Sequence, residues 1–372
     1  MDKKKTKILF CGGATGGHLY PAIALAEQFS EVLGRNHLEL LFIGSSYGLE
    51  SRVLPEKGYN FKSIWIRGIQ RGWRWQHLKV NLLAPFRIVT SLFQSIFYIK
   101  HFSPDFAIGT GGYSSGPPLY IADKMGIDLF LQEQNVYPGV TTRLLAKKAQ
   151  KVYTAYQNTD GYIANTDNRG MPIRRSFKKI DKREALKYFD LKANKKTIFM
   201  FGGSQGSRAL NQFLSENITK LTREFDCQFI WQTGRKNFSK YEEDFQDNEN
   251  IYITPYIDHM DRAYSACDLV LSRAGALSLA ELCEFGKPSI LVPLPIAAAN
   301  HQEKNARDLE EKGAAKVILE QHLTYSEFSE VLKPLFSNTK KLKKMGNEAH
   351  KLSNPRAAQE IVNDILKIEG IL

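Results

Sequence analysis

The chain lacks most of the side-chain arrangements that announce a metal or redox centre. Its four cysteines, Cys11, Cys227, Cys267 and Cys283, form no C-x-x-C pair. They read as buried thiols in a reducing compartment, not as zinc ligands or a disulfide framework. The eight histidines show no H-x-x-x-H or H-E-x-x-H spacing, so no metal site is expected. There is no short repeat and no low-complexity tract. The basic start, Met1 to Lys7, is followed only by a short apolar strand. It lacks the long apolar core and small-residue cleavage site of a secretory leader, so a cytoplasmic location is expected. Acidic residues are in deficit: 51 Lys and Arg against 39 Asp and Glu give a net charge of +12. That balance favours an anionic partner, whether nucleic acid, anionic lipid or a phosphorylated substrate.

The deficit is sharpest between Lys57 and Pro104, where no Asp or Glu occurs. The stretch carries Lys57, Lys62, Arg67, Arg71, Arg74, Lys79, Arg87 and Lys100, with Trp65, Trp73 and Trp75. From Val80 to Ile99 it is rich in Leu, Ile and Phe, but Asn81, Pro85, Arg87 and Gln94 interrupt it. A spanning helix needs about 20 predominantly apolar residues and tolerates a central arginine badly. A segment lying on an anionic membrane surface fits better. A core helix with a solvated basic face and an RNA-binding face are the alternatives. No recognisable RNA-binding module accompanies the stretch, and no nucleic-acid partner is expected.

At 372 residues the chain has room for two or three domains. The first begins with the strand Ile8 to Cys11, the turn Gly12-Gly13-Ala14-Thr15-Gly16-Gly17-His18 and a helix through Leu25, Phe29, Val32 and Leu33 that Gly34 closes. The turn is not the dinucleotide fingerprint G-x-G-x-x-G. Nor is it a P-loop, because His18-Leu19 stands where Lys-Ser/Thr should be. What remains is an imidazole presented at a helix start, or a tight strand–helix turn with an incidental histidine. Strands at Leu38 to Ile43, Asp105 to Gly109 and Asp128 to Leu131, and a short helix from Glu50 to Lys57, continue a βαβ rhythm, which predicts a doubly wound parallel sheet. A second glycine loop runs from Gly109 to Pro118, and Gln132-Glu133-Gln134-Asn135 ends the third of these strands. Ligands bind at such carboxyl strand ends.

The polar stretch Asn165 to Ser176 marks a boundary. The domains expected are 1–170 and 171–354, with a helix at about 355–372 packing back on the first. The second domain repeats the architecture: strand Thr197 to Phe201, glycine turn Gly202 to Ser207, then a helix. Further strands are expected near Cys227 to Trp231, Ile251 to Thr254, Leu269 to Leu271 and Ser289 to Val292. Ser204 on this turn and Arg174 in the linker are candidates to neutralise a diphosphate. Ser278 and Glu281 share one helical face after Ser272-Arg273-Ala274-Gly275. Glu281 suits ribose hydroxyls, unless it is a helix-surface charge. The amide cluster Asn300 to Ala306 suits a sugar, or caps a helix.

These pieces occur together in one family. Thr15-Gly16-Gly17-His18, Gly111 to Pro117, Glu133-Gln134-Asn135, Gly202 to Gly206, Ser272 to Leu277, Glu281 and His301-Gln302 stand in order over nearly the whole chain. In this the chain resembles the bacterial N-acetylglucosaminyltransferases that complete the lipid-linked peptidoglycan precursor, in glycosyltransferase family 28. The resemblance implies the GT-B fold: two Rossmann-like domains facing a cleft. It implies inverting transfer of N-acetylglucosamine from UDP-N-acetylglucosamine to the 4-hydroxyl of N-acetylmuramoyl-pentapeptide on undecaprenyl diphosphate, in cell-wall synthesis linked to cell shape and division. Ser204 and Arg174 would face the diphosphate. The backbone of Ile257 would pair with uracil. Ala276, Leu277, Ser278, Leu279, Ala280 and Glu281 would wrap ribose and phosphates, and Gln302 would hold the sugar. Thr15, Gly16, Gly17 and Asn135 would reach in from the first domain, and His18 is the candidate base. No cofactor is implied, and a divalent ion loosely held on the nucleotide is left open. The implied setting is the cytoplasmic face of the plasma membrane, as a peripheral protein meeting anionic lipid, with cell-wall synthesis proteins as candidate partners.

The chain departs from the family pattern at three places. Gln132 replaces a histidine before Glu-Gln-Asn. Met171-Pro172-Ile173-Arg174 replaces Asn-Pro-Val-Arg. Ala14 replaces a glycine, a mild change if its φ is negative. Competing functions are a glycolipid-directed or UDP-sugar-epimerising enzyme of the same fold, a dinucleotide oxidoreductase, and a non-catalytic lipid- or nucleic-acid-binding protein.

Overall fold

The structure, a computed structural model, describes residues 5–68, 81–173, 177–203 and 205–372. Arg71, Trp73, Arg74, Trp75, Lys79, Arg174 and Ser204 fall outside the described residues. The chain divides into two compact units, Met1–Arg174 with Asn354–Leu372, and Arg175–Ser353.

In the first unit, β1 (Thr6–Gly12), β2 (Leu38–Ser45), β3 (Phe61–Ile64), β4 (Phe106–Gly111), β5 (Asp128–Glu133), β6 (Lys151–Thr154) and β7 (Thr166–Asn168) form one parallel sheet in the order β3-β2-β1-β4-β5-β6-β7. All six residues of β4 are buried, as expected of a parallel strand covered on both faces. The helix Gly16–Leu33 buries Leu19, Ile23, Leu25 and Phe29 against Phe10, Phe42 and Phe106. Gly34, at φ +80°, ends that helix as the sequence predicts.

The helix Ala357–Ile368 belongs to this first unit. It inserts Ala358, Ile361, Val362, Ile365 and Leu366 into the same core. Its Asp364 accepts from Lys151 Nζ at 2.7 Å and Tyr153 Oη at 2.8 Å.

The helix Ala84–Phe102 inverts the usual arrangement. Its buried face is Arg87, Ser91, Ser95 and Ile99, while Phe86, Ile88, Val89, Phe93 and Phe97 are exposed. The outward face is thus apolar, not the solvated basic face of the core-helix alternative, while Leu92, Ile96, Ile99 and Phe102 pack on the core beneath. Among the described residues no helix is long and apolar enough to cross a membrane.

In the second unit, β8 (Lys196–Phe201), β9 (Cys227–Gln232), β10 (Ile251–Thr254), β11 (Leu269–Ser272), β12 (Ser289–Leu291) and β13 (Ala315–Val317) form a parallel sheet in the order β10-β9-β8-β11-β12-β13. Both sheets reverse their winding direction beside their first strand, between β1 and β4 and between β8 and β11. That reversal opens the crevice where doubly wound sheets take ligands. Cys11, Cys227, Cys267 and Cys283 are free and buried.

Candidate active site

In the first unit the turn after β1 is held by groups from three other segments. A Cβ on Gly12 would fall 1.8 Å from Thr110 Oγ1, and one on Gly13 would fall 2.3 Å from Glu50 Cδ, so neither position admits a side chain. Ala14 is at φ +72°. The condition for a mild change, a negative φ, is thus not met: this alanine sits in the left-handed region, at a cost of about 1 kcal/mol. Its N–H donates to Glu50 Oε2 at 2.7 Å, and Ser45 N–H donates to Glu50 Oε1 at 2.8 Å. Glu50 is fully buried. It heads the helix Glu50–Glu56 and acts as an internal strut for the turn.

Thr15 is the extended residue before the helix Gly16–Leu33 and makes no side-chain cap. The first amides of that helix, at Gly16 and Gly17, therefore have no side-chain cap. His18 is half-buried in the same first turn. Its Nδ1 lies 2.9 Å from the Thr110 carbonyl and 3.0 Å from Gln134 Oε1. Thr110 Oγ1 returns a 2.7 Å bond to the His18 carbonyl. Among the described residues, its Nε2 makes no hydrogen bond.

The strand end after β5 is equally ordered. Glu133 is buried and accepts from Asn135 N and Asn135 Nδ2 at 3.0 and 3.1 Å and from Gly139 N at 3.0 Å. This aims the Asn135 amide. Gln132 is buried and accepts from Gln134 Nε2 at 2.7 Å. The departure from histidine at this position is thus internal, one layer behind His18.

In the second unit the glycine turn after β8 is built on close approach. A Cβ on Gly202 would come within 2.3 Å of Ser207 N, and one on Gly206, at φ +75°, within 2.1 Å of the Thr233 carbonyl. Ser207 caps the helix Arg208–Phe225 and accepts from Arg273 Nε at 3.1 Å. Arg273 is buried. It donates to the Val292 and Pro293 carbonyls at 3.1 Å each and pairs with Glu320. One guanidinium thus joins the glycine turn, the end of β11 and the loop after β12. Gln232 spans two further pieces: its Nε2 donates to the Gly203 carbonyl at 3.1 Å and its Oε1 accepts from Ile257 N at 2.9 Å. The N–H of Ile257, whose backbone is expected to meet a base, therefore already has an internal partner.

The helix Ala276–Phe285 starts at Gly275 with no side-chain cap, so the amides of Ala276, Leu277 and Ser278 form an open helix N-terminus. Leu279 is in the core and could reach a ligand only through its backbone. Ala280 is half-buried. Glu281 is buried and accepts from Tyr264 Oη at 2.9 Å, which corrects the reading of it as a surface charge. Gln302 Oε1 accepts from Leu294 N at 3.0 Å. The preceding Ala299 and Asn300 both take positive φ, +52° and +55°, a strained conformation of the kind found at ligand loops. Among the described residues no group of His, Cys, Asp and Glu could hold a metal ion.

Glu50 and Arg273 were not singled out by residue chemistry. Gln134 was marked only as part of the polar run at a carboxyl strand end, and Arg273 only as part of a family-like segment.

Two doubly wound units with glycine turns at their switch points are the architecture of GT-B glycosyltransferases. The crystal structure of Acinetobacter baumannii MurG superposes with a TM-score of 0.76 at 27% identity, covering 97% of this chain and 99% of that one. The chain belongs to glycosyltransferase family 28, whose N-terminal domain matches residues 8–154 and whose C-terminal domain matches residues 197–361. A relative in Flavobacterium psychrophilum is 39% identical over 366 residues, 97% of each chain. One in Christiangramia forsetii is 39% identical over 370 residues, 98% of each. Both carry the name UDP-N-acetylglucosamine–N-acetylmuramyl-(pentapeptide) pyrophosphoryl-undecaprenol N-acetylglucosamine transferase.

Proposed function

We propose that the chain transfers N-acetylglucosamine from UDP-N-acetylglucosamine to the 4-hydroxyl of undecaprenyl-diphosphate-linked N-acetylmuramoyl-pentapeptide, with inversion at the anomeric carbon. The observation that carries this is the likeness to relatives of that name over 97–98% of the chain. His18 Nε2 takes the proton of the acceptor hydroxyl as it attacks. UDP leaves against the open amides of Ala276 to Ser278, with Ser204 and Arg174 as further donors. Glu281 serves the ribose, the Ile257 backbone the uracil, Gln302 the sugar, and Thr15, Gly16, Gly17 and Asn135 the acceptor side. No metal carries a step, which leaves room for a divalent ion bound to the nucleotide.

The acceptor is a lipid, and the outward apolar face of the helix Ala84–Phe102 suits a bilayer surface. The helix Val140–Leu145 of the same unit also exposes Val140 and Leu144, 64% and 71%, in a stretch that carries Arg143 and Lys147. We infer a peripheral location on the cytoplasmic face of the membrane.

The test is a transfer assay with UDP-N-acetylglucosamine and the muramoyl-pentapeptide lipid. The expected product is the disaccharide lipid with release of UDP. Folded protein that makes none, or that epimerises the sugar nucleotide instead, overturns the reading. Co-sedimentation with anionic vesicles should weaken as salt rises. Salt-independent recovery, or none at low salt, would remove the headgroup interaction.

A further inference from the structure

We propose that Gln134, backed by Gln132, is a positioning residue that keeps the His18 proton on Nδ1 and the lone pair on Nε2. The inference deepens the role given to His18 and rests on that reading for its catalytic consequence. The proton positions follow from acceptors whose nature is not in doubt. Gln134 Nε2 lies 2.5 Å from the Thr110 carbonyl and 3.2 Å from the Gln132 carbonyl. Backbone carbonyls only accept, so the amino group of Gln134 must face them. Its Oε1 then faces His18 Nδ1 at 3.0 Å. Nδ1 meets a second acceptor, the Thr110 carbonyl, at 2.9 Å. Two acceptors on one ring nitrogen require an N–H there, and the neutral ring then has its base at Nε2.

Gln132 fixes the back of the chain. Its Nε2 donates to the Glu133 carbonyl at 3.3 Å, and its Oε1 accepts from Gln134 Nε2 at 2.7 Å. Gln132 and Gln134 are each 1% exposed, so solvent does not compete for these bonds. The contact on Nδ1 is uncharged, unlike the carboxylate that often backs a catalytic imidazole. The titratable groups nearest on the surrounding elements include Glu50 beneath the turn, Glu133 on β5, Tyr113 after β4 and Tyr20 on the histidine's own helix. Both carboxylates are turned onto backbone amides.

The experiment uses the full chain with ¹⁵N-labelled histidine and reads the His18 ring nitrogens by NMR, beside transfer kinetics. Wild type should show a protonated Nδ1 and a bare Nε2 at pH 8. Gln134→Met should mix the tautomers and lower kcat by about 10- to 100-fold, with KM for the sugar nucleotide within about threefold. Gln134→Glu can meet the Thr110 and Gln132 carbonyls only as the protonated acid, with its carbonyl oxygen toward Nδ1, so it should keep the wild-type tautomer and most of kcat near neutral pH. Circular dichroism checks that each variant folds. If Gln134→Met is unstable, the wild-type tautomer and Gln134→Glu still decide. A protonated Nε2 in wild type, an unchanged tautomer and kcat in Gln134→Met, or mixed tautomers in folded Gln134→Glu overturns the proposal. If Gln134→Met mixes the tautomers while His18→Ala keeps full turnover, the positioning stands and His18 loses its role as base.

Discussion

The two units share a sheet order and a strand–glycine turn–helix start, yet they hold their turns with opposite charge. Under the first turn lies a buried carboxylate, Glu50, spent on the amides of Ala14 and Ser45. Under the second lies a buried guanidinium, Arg273, whose Nε reaches Ser207 at the start of the next helix. A carboxylate there disfavours an anion in contact with the amide of Ala14, whereas the guanidinium, its charge offset by Glu320, sets no such opposition at the turn it braces. The same fold thus offers one turn suited to presenting a neutral imidazole and another suited to a departing diphosphate. Glycine spacing alone does not distinguish them. The charge buried beneath each does.

The comparison can be broken from either side. The largest effect expected is at His18: His18→Ala should cost about 10²- to 10⁴-fold in kcat with little change in UDP affinity, measured by steady-state transfer and by UDP titration. Arg273→Met should come next. It leaves Glu320 and two carbonyls without their cation and should destabilise the second unit by about 3 kcal/mol. Urea unfolding with and without UDP should show both the loss and weaker UDP binding. Unchanged UDP affinity would separate Arg273 from the phosphate site.

Glu50→Gln keeps the volume but sets an amino group against one of two donor amides. It should cost the first unit about 2 kcal/mol and lower turnover while sparing UDP binding.

A smaller, pH-dependent effect is expected at Glu369, which lacks the amide donors that satisfy Glu50. Burial, then the charges of Asp128 and Asp105, push its carboxyl up to about 7. The unfolded group titrates near 4.5, so the folded form holds its proton more tightly, and stability falls as pH rises between those values. Glu369→Gln should then be neutral near pH 4 and stabilising by about 1 kcal/mol at pH 8, after allowance for solvent screening. A melting-temperature series across pH checks the sign. Last, Ala14→Gly should relieve the left-handed alanine and stabilise the first unit by about 0.5 kcal/mol net of chain entropy. Denaturant midpoints resolve a change of that size.

The central strands and the helix ends were legible because they are encoded locally. Ile8 to Cys11 is an apolar run before glycines, and Gly34 and Gly58 do take the positive φ that closes a helix. The edge strands of the first sheet were not legible. Phe61–Ile64 and Thr166–Asn168 are short, and the latter is wholly polar, so nothing in their own composition signals a strand until a neighbour pairs with them. The site divides the same way. His18 could be found from its place at a helix start. Glu50 could not, because a glutamate opening a short helix reads as a solvated charge; its partner Ala14 lies 36 residues away. Arg273 and Ser207 are separated by 66. The outward apolar face of Ala84–Phe102 also needed the fold, since its periodicity alone does not say which stripe meets the sheet.

The helix Ala357–Ile368 also constrains how the chain is made. Five of its residues complete the core of the unit whose first strand leaves the ribosome earliest. That core stays open while the whole second unit is synthesised, so the first unit begins earlier and finishes later. An apolar groove on the nascent first unit must then stay shielded until residue 368 has emerged, which marks it as the stage most exposed to aggregation and chaperone capture.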